Sequence, residues 1–391
     1  MPRLLHMADV HLGARHQDLG DAASSQRERQ FAAFERAIEL ALAERVDLVV
    51  VAGDLFDSNQ QPRRSVDQVA AQLARLVAVG IRTVILPGTH DLYDASSVYR
   101  TYDLAALAGS SAGTGLVTVL TPERSAVVFP PLDLAVYGQA FTTKRAPRSP
   151  LAGLGVAAEA RATWRVGLVH GSLRIEGKVP DDDVLITAEE IAASGLDYLA
   201  LGHWHSFLQG RAGETTWAYA GAPEPVAVDQ DGAGQVLLVE LREVDGRRTV
   251  TVEARPVGRT RFVHVDIDAA RETSQAALVE RLGALADPDL VLDVRLVGVL
   301  PDELDLESDE VERALAGRFL RLRIRNLAVP PLSSGQMPPP DTIPGAFVRD
   351  LEARIGQAEA AGRADEAAEL RDALRLGRLL LLDDPARVTL V

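Results

Sequence analysis

The sequence predicts an α/β fold: two packed sheets with helices outside, a four-layer αββα sandwich, followed by a small α+β domain and a helical tail. Three observations predict it. Residues 1 to about 110 alternate strand-like and helix-like patterns, the rhythm of a parallel sheet with helical crossovers. Five apolar runs each deliver an Asp or His at their C-terminal end, the rim where open α/β sheets bind ligands. A Pro-rich stretch, Val329-Pro330-Pro331 through Pro338-Pro339-Pro340 to Pro344, then separates the compact part from an amphipathic end.

Each element has its own justification. Phe31, Phe34, Ile38 and Leu42 recur at helical spacing and predict a helix over Arg27 to Glu44. Val69, Leu73 and Leu76 predict a second over Ser65 to Val79. Val117 to Gln139 changes to short strands, and the α/β pattern resumes at Trp164–Val169 and Asp197–Gly202. Gln235–Leu241 and Thr249–Ala254 read as a hairpin about Asp245-Gly246. Beyond a boundary near Val257 to Thr260, the pattern is strand (262–268), helix (274–285), strand (290–300), short helix (309–316) and strand (319–324). The tail from Ala346 carries Phe347, Leu351 and Ile355, then Leu370, Leu374 and Leu379-Leu380-Leu381, a pair of amphipathic helices about Gly362. The domain reading is 1–258, 259–326, a linker at 327–345 and a tail at 346–391.

Composition narrows the class. The chain has 391 residues, 47% of them hydrophobic, enough for more than one core. It lacks an apolar stretch of membrane-spanning length and a leader pattern, so the expected setting is soluble and cytoplasmic, with no membrane partner. With no cysteine, any metal must be held by His and carboxylate. The net charge of −15 argues against strong nucleic-acid binding by this chain alone, leaving a small substrate, or a partner and bound metals that supply positive charge. The preference for Arg over Lys reads as genome composition.

The rim residues specify chemistry. They are Asp9-Val10-His11, Gly53-Asp54-Leu55-Phe56-Asp57, Gly88-Thr89-His90-Asp91, His170-Gly171 and Gly202-His203-Trp204-His205, and they hold five of the eight histidines. Carboxylate oxygen and imidazole nitrogen suit hard or borderline divalent ions. Two such ions about 3.5–4 Å apart activate water and stabilise both oxygens in phosphoester cleavage. A bridging carboxylate is then needed, and Asp54, after the most apolar strand, is the best candidate.

The ordered set DxH, GDxxD, G-x-H-D, a lone His and GHxH resembles the calcineurin-like metallophosphoesterase superfamily. Asp9-Val10-His11-Leu12-Gly13, Gly53–Asp57, Ala200–His205 and Tyr219–Pro225 resemble, within it, the SbcD nucleases of double-strand-break repair, over roughly residues 3–256. The resemblance implies a first metal on Asp9, His11, Asp54 and His205, and a second on Asp54, His170 and His203. Thr89 stands where the family has a ligating Asn, and a hydroxyl is a shorter, poorer ligand. His90 would be the catalytic histidine, oriented by a hydrogen bond to Asp91, with Asp57 near the site. It further implies two Mn ions, cleavage of DNA (exonucleolytic on duplex ends, endonucleolytic on single strands and hairpins), a capping or DNA-binding role for 259–326, an SbcC-type coiled-coil ATPase docked on the tail, and a homodimer.

Other readings stand beside these. A stand-alone phosphodiesterase or phosphatase for a small substrate fits the acidic charge but needs neither the extra domain nor the tail. A scaffold with a decayed second metal site fits Thr89 but not the intact Asp54, His90, His170 and His203. His6, His16 and His264 read as structural or exposed, and Asp181-Asp182-Asp183 as a solvated loop. Arg321, Arg323 and Arg325 share one strand face, fitting either a DNA-facing stripe or plain solvent exposure.

Overall fold

A computed structural model describes the chain except for residues 111–114, 145–148, 153, 155–161, 175–184, 228–229, 231, 299, 301–303, 305, 329–337, 340 and 383–391. The chain forms two compact units, Met1–Arg261 and Phe262–Val391. The Asp181–Asp183 run and most of the Pro-rich stretch lie outside the described residues.

The first unit contains fourteen of the strands. They are β1 (Arg3–Met7), β2 (Leu48–Ala52), β3 (Arg82–Leu86), β4 (Val117–Val119), β5 (Ala126–Phe129), β6 (Leu134–Gly138), β7 (Trp164–His170), β8 (Ser172–Leu173), β9 (Leu185–Ile186), β10 (Tyr198–Gly202), β11 (Leu208–Ala212), β12 (Thr215–Tyr219), β13 (Gln235–Val244) and β14 (Arg247–Pro256). Twelve make two six-stranded sheets, ordered β14-β13-β1-β2-β3-β4 and β11-β12-β10-β7-β6-β5. Strands β1 to β4 run parallel, as do β12, β10, β7 and β6. Antiparallel strands close the edges, among them the β13–β14 hairpin, which turns on Asp245 (φ 51°) and Gly246 (φ 72°). Positive φ at both turn residues matches strand twist, and Asp-Gly supplies it at low cost.

Burial on both faces explains why the central strands are continuously apolar. Leu4, Leu48, Val50, Val84 and Leu86 pack between the sheets against Val136, Val166, Leu168, Tyr198 and Ala200. Leu5, Met7, Val49, Val51 and Ile85 face outward against Phe34 and Ile38 of α1 (Ala23–Ala43) and Val69, Leu73 and Leu76 of α2 (Arg63–Ala78). Short helices α3 (Val98–Thr101) and α4 (Leu104–Leu107) extend that layer. On the far side, Tyr137, Val169, Leu199 and Tyr219 pack under Ile191 of α5 (Ala188–Ala193). The predicted four-layer sandwich is therefore present, with a thin fourth layer among the described residues. His6 is fully buried between the sheets, its Nδ1 2.8 Å from the hydroxyl of Tyr198, and burial pushes its pKa down to about 3. It is a neutral structural histidine.

In the second unit, β15 (Arg261–Asp268), β16 (Leu290–Val297) and β17 (Arg321–Asn326) form a three-stranded sheet. Its apolar face packs on α6 (Gln275–Gly283) and α7 (Ser308–Ala314) through Leu278, Leu282, Leu292, Val294 and Val311. The opposite face is charged: Arg295 pairs with both oxygens of Asp266, and Arg325 with both of Asp293. His264 sits between the same two carboxylates.

The tail is a helical hairpin, α8 (Ile343–Ala360) and α9 (Ala364–Leu382), turning at Gly362 (φ 70°). Its first helix begins inside the stretch expected to be linker, because Thr342 caps it and Pro344 suits a first turn. Leu351, Ile355, Leu370, Phe347 and Leu374 pack against one another across the hairpin.

Candidate metal centre

The site is built on the C-terminal ends of strands from both sheets. The first sheet supplies Asp9 and His11 after β1, Asp54 after β2, and Thr89 and His90 after β3. The second supplies His170, the last residue of β7, and His203 and His205 after β10. Asp9, His11, Asp54 and His203 all have left-handed backbones, with φ of 53°, 49°, 52° and 100°. A non-glycine residue there costs on the order of 1–3 kcal/mol and needs its surroundings to hold it. Backbone bonds between the two loops do so: Asp9 N to Gly53 O (3.1 Å), His11 N to Asp54 O (3.0 Å) and Leu12 N to Leu55 O (3.0 Å). Two glycines permit the close approach. A Cβ on Gly53 would strike the His170 ring, and one on Gly88 would strike the Asp54 carboxylate.

These residues converge. Asp54 Oδ2 lies 3.1 Å from His170 Nε2, 3.8 Å from His11 Nε2 and 3.4 Å from the Thr89 hydroxyl, while its Oδ1 accepts from His90 N at 2.7 Å. Thr89 Oγ1 is also 3.3 Å from His170 Nε2. His11 Nε2 and His205 Nε2 are 3.2 Å apart. Both oxygens of Asp9 accept from His203 N, at 2.9 and 3.1 Å. Among the described residues, ligand atoms of Asp9, His11 and His205 lie within 4.8 Å of one another, as do those of Asp9, Asp54 and His170, and those of His11, Asp57 and His90. The His203 ring is in none of these groups but stands edge-on to His170, with centroids 5.2 Å apart.

Charge is concentrated here. Burial works against ionised Asp54, but facing His170, His11 and His90 hold its carboxyl far below the usual carboxylate range. Burial pushes His170 down, yet Asp54 and Asp9 more than reverse this and bring it up to about 9. Burial, the largest influence, leaves the pKa of His205 lowered. His170 donates Nδ1–H to Ala52 O at 3.1 Å, which leaves Nε2, facing Asp54, as the atom a cation would take. Buried carboxylates and imidazoles whose ligand atoms meet in this way fit hard or borderline divalent ions.

One expected relationship is corrected. Asp91 does not orient the His90 ring. Its carboxylate is fully buried and accepts from Gly88 N (2.7 Å), Phe56 N (3.2 Å) and the Tyr99 hydroxyl (2.6 Å), so it pins the loops beneath the site. The His90 ring instead donates Nδ1–H to the carbonyl of Asp57 at 3.0 Å. Side chains of His11, Arg15, His16, Asp57, His90 and His205 line an open cavity of about 580 Å³ above the cluster.

A family model described as calcineurin-like phosphoesterase matches residues 2–207, which include every residue of the cluster. The chain belongs to that family. Three archaeal relatives are named DNA double-strand break repair protein Mre11. That of Aeropyrum pernix is 30% identical over 62% of this chain and 58% of its own length. That of Methanopyrus kandleri is 25% identical over 80% and 67%, and that of Methanosarcina mazei 26% identical over 83% and 55%. The chain thus spans between about half and two thirds of these curated relatives.

Sequence reasoning missed two residues of the phosphoesterase site. Tyr99 is ten residues beyond Thr89, on a four-residue helix with no periodic signal. Gln230 carries no signal of its own in the sequence, yet its Nε2 is 2.6 Å from His205 Nδ1. Only the fold brings it there. Among the described residues, no helix is long and apolar enough to cross a membrane.

Proposed function

We propose that the chain is the nuclease subunit of a double-strand-break repair complex of the SbcCD type, cleaving DNA phosphodiesters with two divalent cations, most suitably Mn. Asp9, His11, Asp54 and His205 would hold one cation, and Asp54, His170 and His203 the other, with Thr89 beside it. The observation that carries this reading is the position of Asp54 Oδ2, facing His170 Nε2 at 3.1 Å and His11 Nε2 at 3.8 Å, as a bridging carboxylate must. When bound, such a pair activates a water and stabilises the attacking and leaving oxygens.

The chain's own groups have distinct tasks. His90 is fixed through Nδ1 by the Asp57 carbonyl, so its Nε2 is free to protonate the leaving oxygen or to hold a phosphate oxygen. Its side chain is about half exposed, which suits a group that must meet a macromolecular substrate. Asp91 and Tyr99 keep the loops in place from below. The names of the archaeal relatives support DNA as the substrate. The net charge of −15 supports sharing DNA binding with a partner, an SbcC-type coiled-coil ATPase docked on the tail at 346–391. The unit at 259–326 would contribute to DNA binding, and the protein would work as a homodimer.

The test is cleavage by the full chain of linear duplex DNA and of a small chromogenic phosphodiester, with Mn, with and without the ATPase. DNA cleavage that is lost in Asp54→Asn supports the reading. Turnover of the small ester alone would replace it with that of a stand-alone phosphodiesterase.

A further inference from the structure

We propose that Gln230 is a positioning residue that sets which ring nitrogen of His205 carries the proton, and that a cation can be taken by His205 only after the Gln230 amide turns over. The proposal rests on the reading of His205 as a metal ligand.

Gln230 Oε1 faces two backbone donors, Val226 N at 2.8 Å and Ala227 N at 3.3 Å. Only the amide oxygen can accept from them, so the orientation of the amide is fixed. Its nitrogen is then the atom that faces His205 Nδ1 at 2.6 Å. An amide nitrogen only donates, so Nδ1 must be a lone pair, and the proton of neutral His205 sits on Nε2. That Nε2 faces His11 Nε2 at 3.2 Å. His11 Nδ1 lies 3.3 Å from Asp57 Oδ1, and a carboxylate only accepts, so neutral His11 carries its proton on Nδ1 and turns a lone pair to His205. Every bond in the row Gln230, His205, His11, Asp57 therefore points the same way.

A cation in the Asp9–His11–His205 group needs a lone pair on both Nε2 atoms. His11 already offers one. His205 does not. Its proton must leave Nε2 for solvent, and a proton must return to Nδ1, so the ring stays neutral. Nδ1–H would then meet the Gln230 N–H head-on. Turning the amide over brings Oε1 to Nδ1–H and restores a bond, at the cost of releasing Val226 N and Ala227 N. Since Val226 lines the cavity, loading the metal also frees the cavity's edge.

The test uses the full chain with ¹⁵N-labelled histidine, metal-free, at a pH above the ordinary histidine value of about 6.5. Long-range ¹H–¹⁵N spectra report the tautomer, with His205 assigned by its loss in His205→Asn. We expect an Nε2–H His205 that becomes Nδ1–H when diamagnetic Zn²⁺ is added. Gln230→Glu should already be Nδ1–H without metal, because one carboxylate oxygen can hold the backbone while the other accepts from the ring. Its affinity for Mn²⁺ by calorimetry should rise about tenfold, the lower end of the range for a group that orients a ligand. An Nδ1–H His205 in the metal-free wild type overturns the proposal, as does tighter binding in Gln230→Glu without a change of tautomer. Zn²⁺ that shifts neither nitrogen of His205 while occupying the cluster overturns instead the reading of His205 as a ligand, and the coupling with it.

Discussion

Asp54 Oδ2 lies 3.1 Å from His170 Nε2, a carboxylate from one sheet facing an imidazole from the other. The ion pair stands where a cation would stand. Burial opposes the charge on His170, but Asp54 and Asp9 outweigh it and raise the pKa to about 9. With His170 as a ligand, as proposed, a cation would therefore displace a proton from it at any pH below that value. Mn affinity should climb with pH and level off above about 9, and calorimetry at neutral pH in buffers of different ionisation enthalpy should show proton release. In the metal-free protein the sign is opposite. A raised histidine pKa stabilises the fold fully below the unfolded value of about 6.5, and the gain fades as pH rises through about 9. Affinity that does not change with pH would remove His170 from the ligand set.

Thr89 sets a second expectation. Its hydroxyl touches both Asp54 and His170, so it has not left the site, but it reaches less far than a carboxamide. Thr89→Asn should raise DNA cleavage at limiting Mn, by about tenfold at the low end for changes around a metal, with little effect at saturation. Thr89→Val should do the reverse. Superimposable Mn titrations of all three proteins would show that position 89 does not touch the metal.

His90→Ala should keep its metals and lose about 10²–10⁴ in cleavage rate, the usual worth of general acid–base assistance. Metal content and single-turnover rates measured on the same preparation separate the two effects. Near-normal rates, or loss of metal, would assign His90 elsewhere.

Asp91→Ala should act through stability. It strips partners from Gly88 N, Phe56 N and the Tyr99 hydroxyl in a fully buried place, each worth about 1–3 kcal/mol when left unmet. Denaturant melts should show a loss of more than about 3 kcal/mol, with Tyr99→Phe losing less. If Asp91→Ala melts like wild type and only the pH profile of cleavage moves, Asp91 does act on His90.

Deleting residues from Pro340 onward should leave metal binding and basal cleavage intact, because α8 and α9 pack on each other in a cluster of their own. Binding to the ATPase should be lost in a pull-down. A truncated protein that still binds the ATPase would place the docking surface elsewhere.

Much of this was legible in the chain itself. Residues 48–52 announce a strand buried on both faces, and the ligand types at strand ends announce the rim. The hairpin at Asp245-Gly246 was readable because its turn demands those residues. Partnerships that depend on distance in space were not. Asp91 and His90 are adjacent in sequence, yet their side chains point to different neighbours, since the loop that exposes one buries the other. Gln230 meets His205 across twenty-five residues of strand and loop. The apolar stripe of the tail was visible, but its periodicity could not say whether the other helix or another protein would cover it.

The two sheets share the cluster: Asp9, His11, Asp54 and Thr89 come from one, His170, His203 and His205 from the other. With the proposed ligand set, neither half would grip a bridging ion alone, so an ion would have its full set of ligands only once the layers have docked. Interactions that form after the folding barrier slow unfolding and leave the folding rate nearly unchanged. A bound metal would then act as a late clasp, lengthening the life of the native state, while a chelator would hasten opening without hindering refolding.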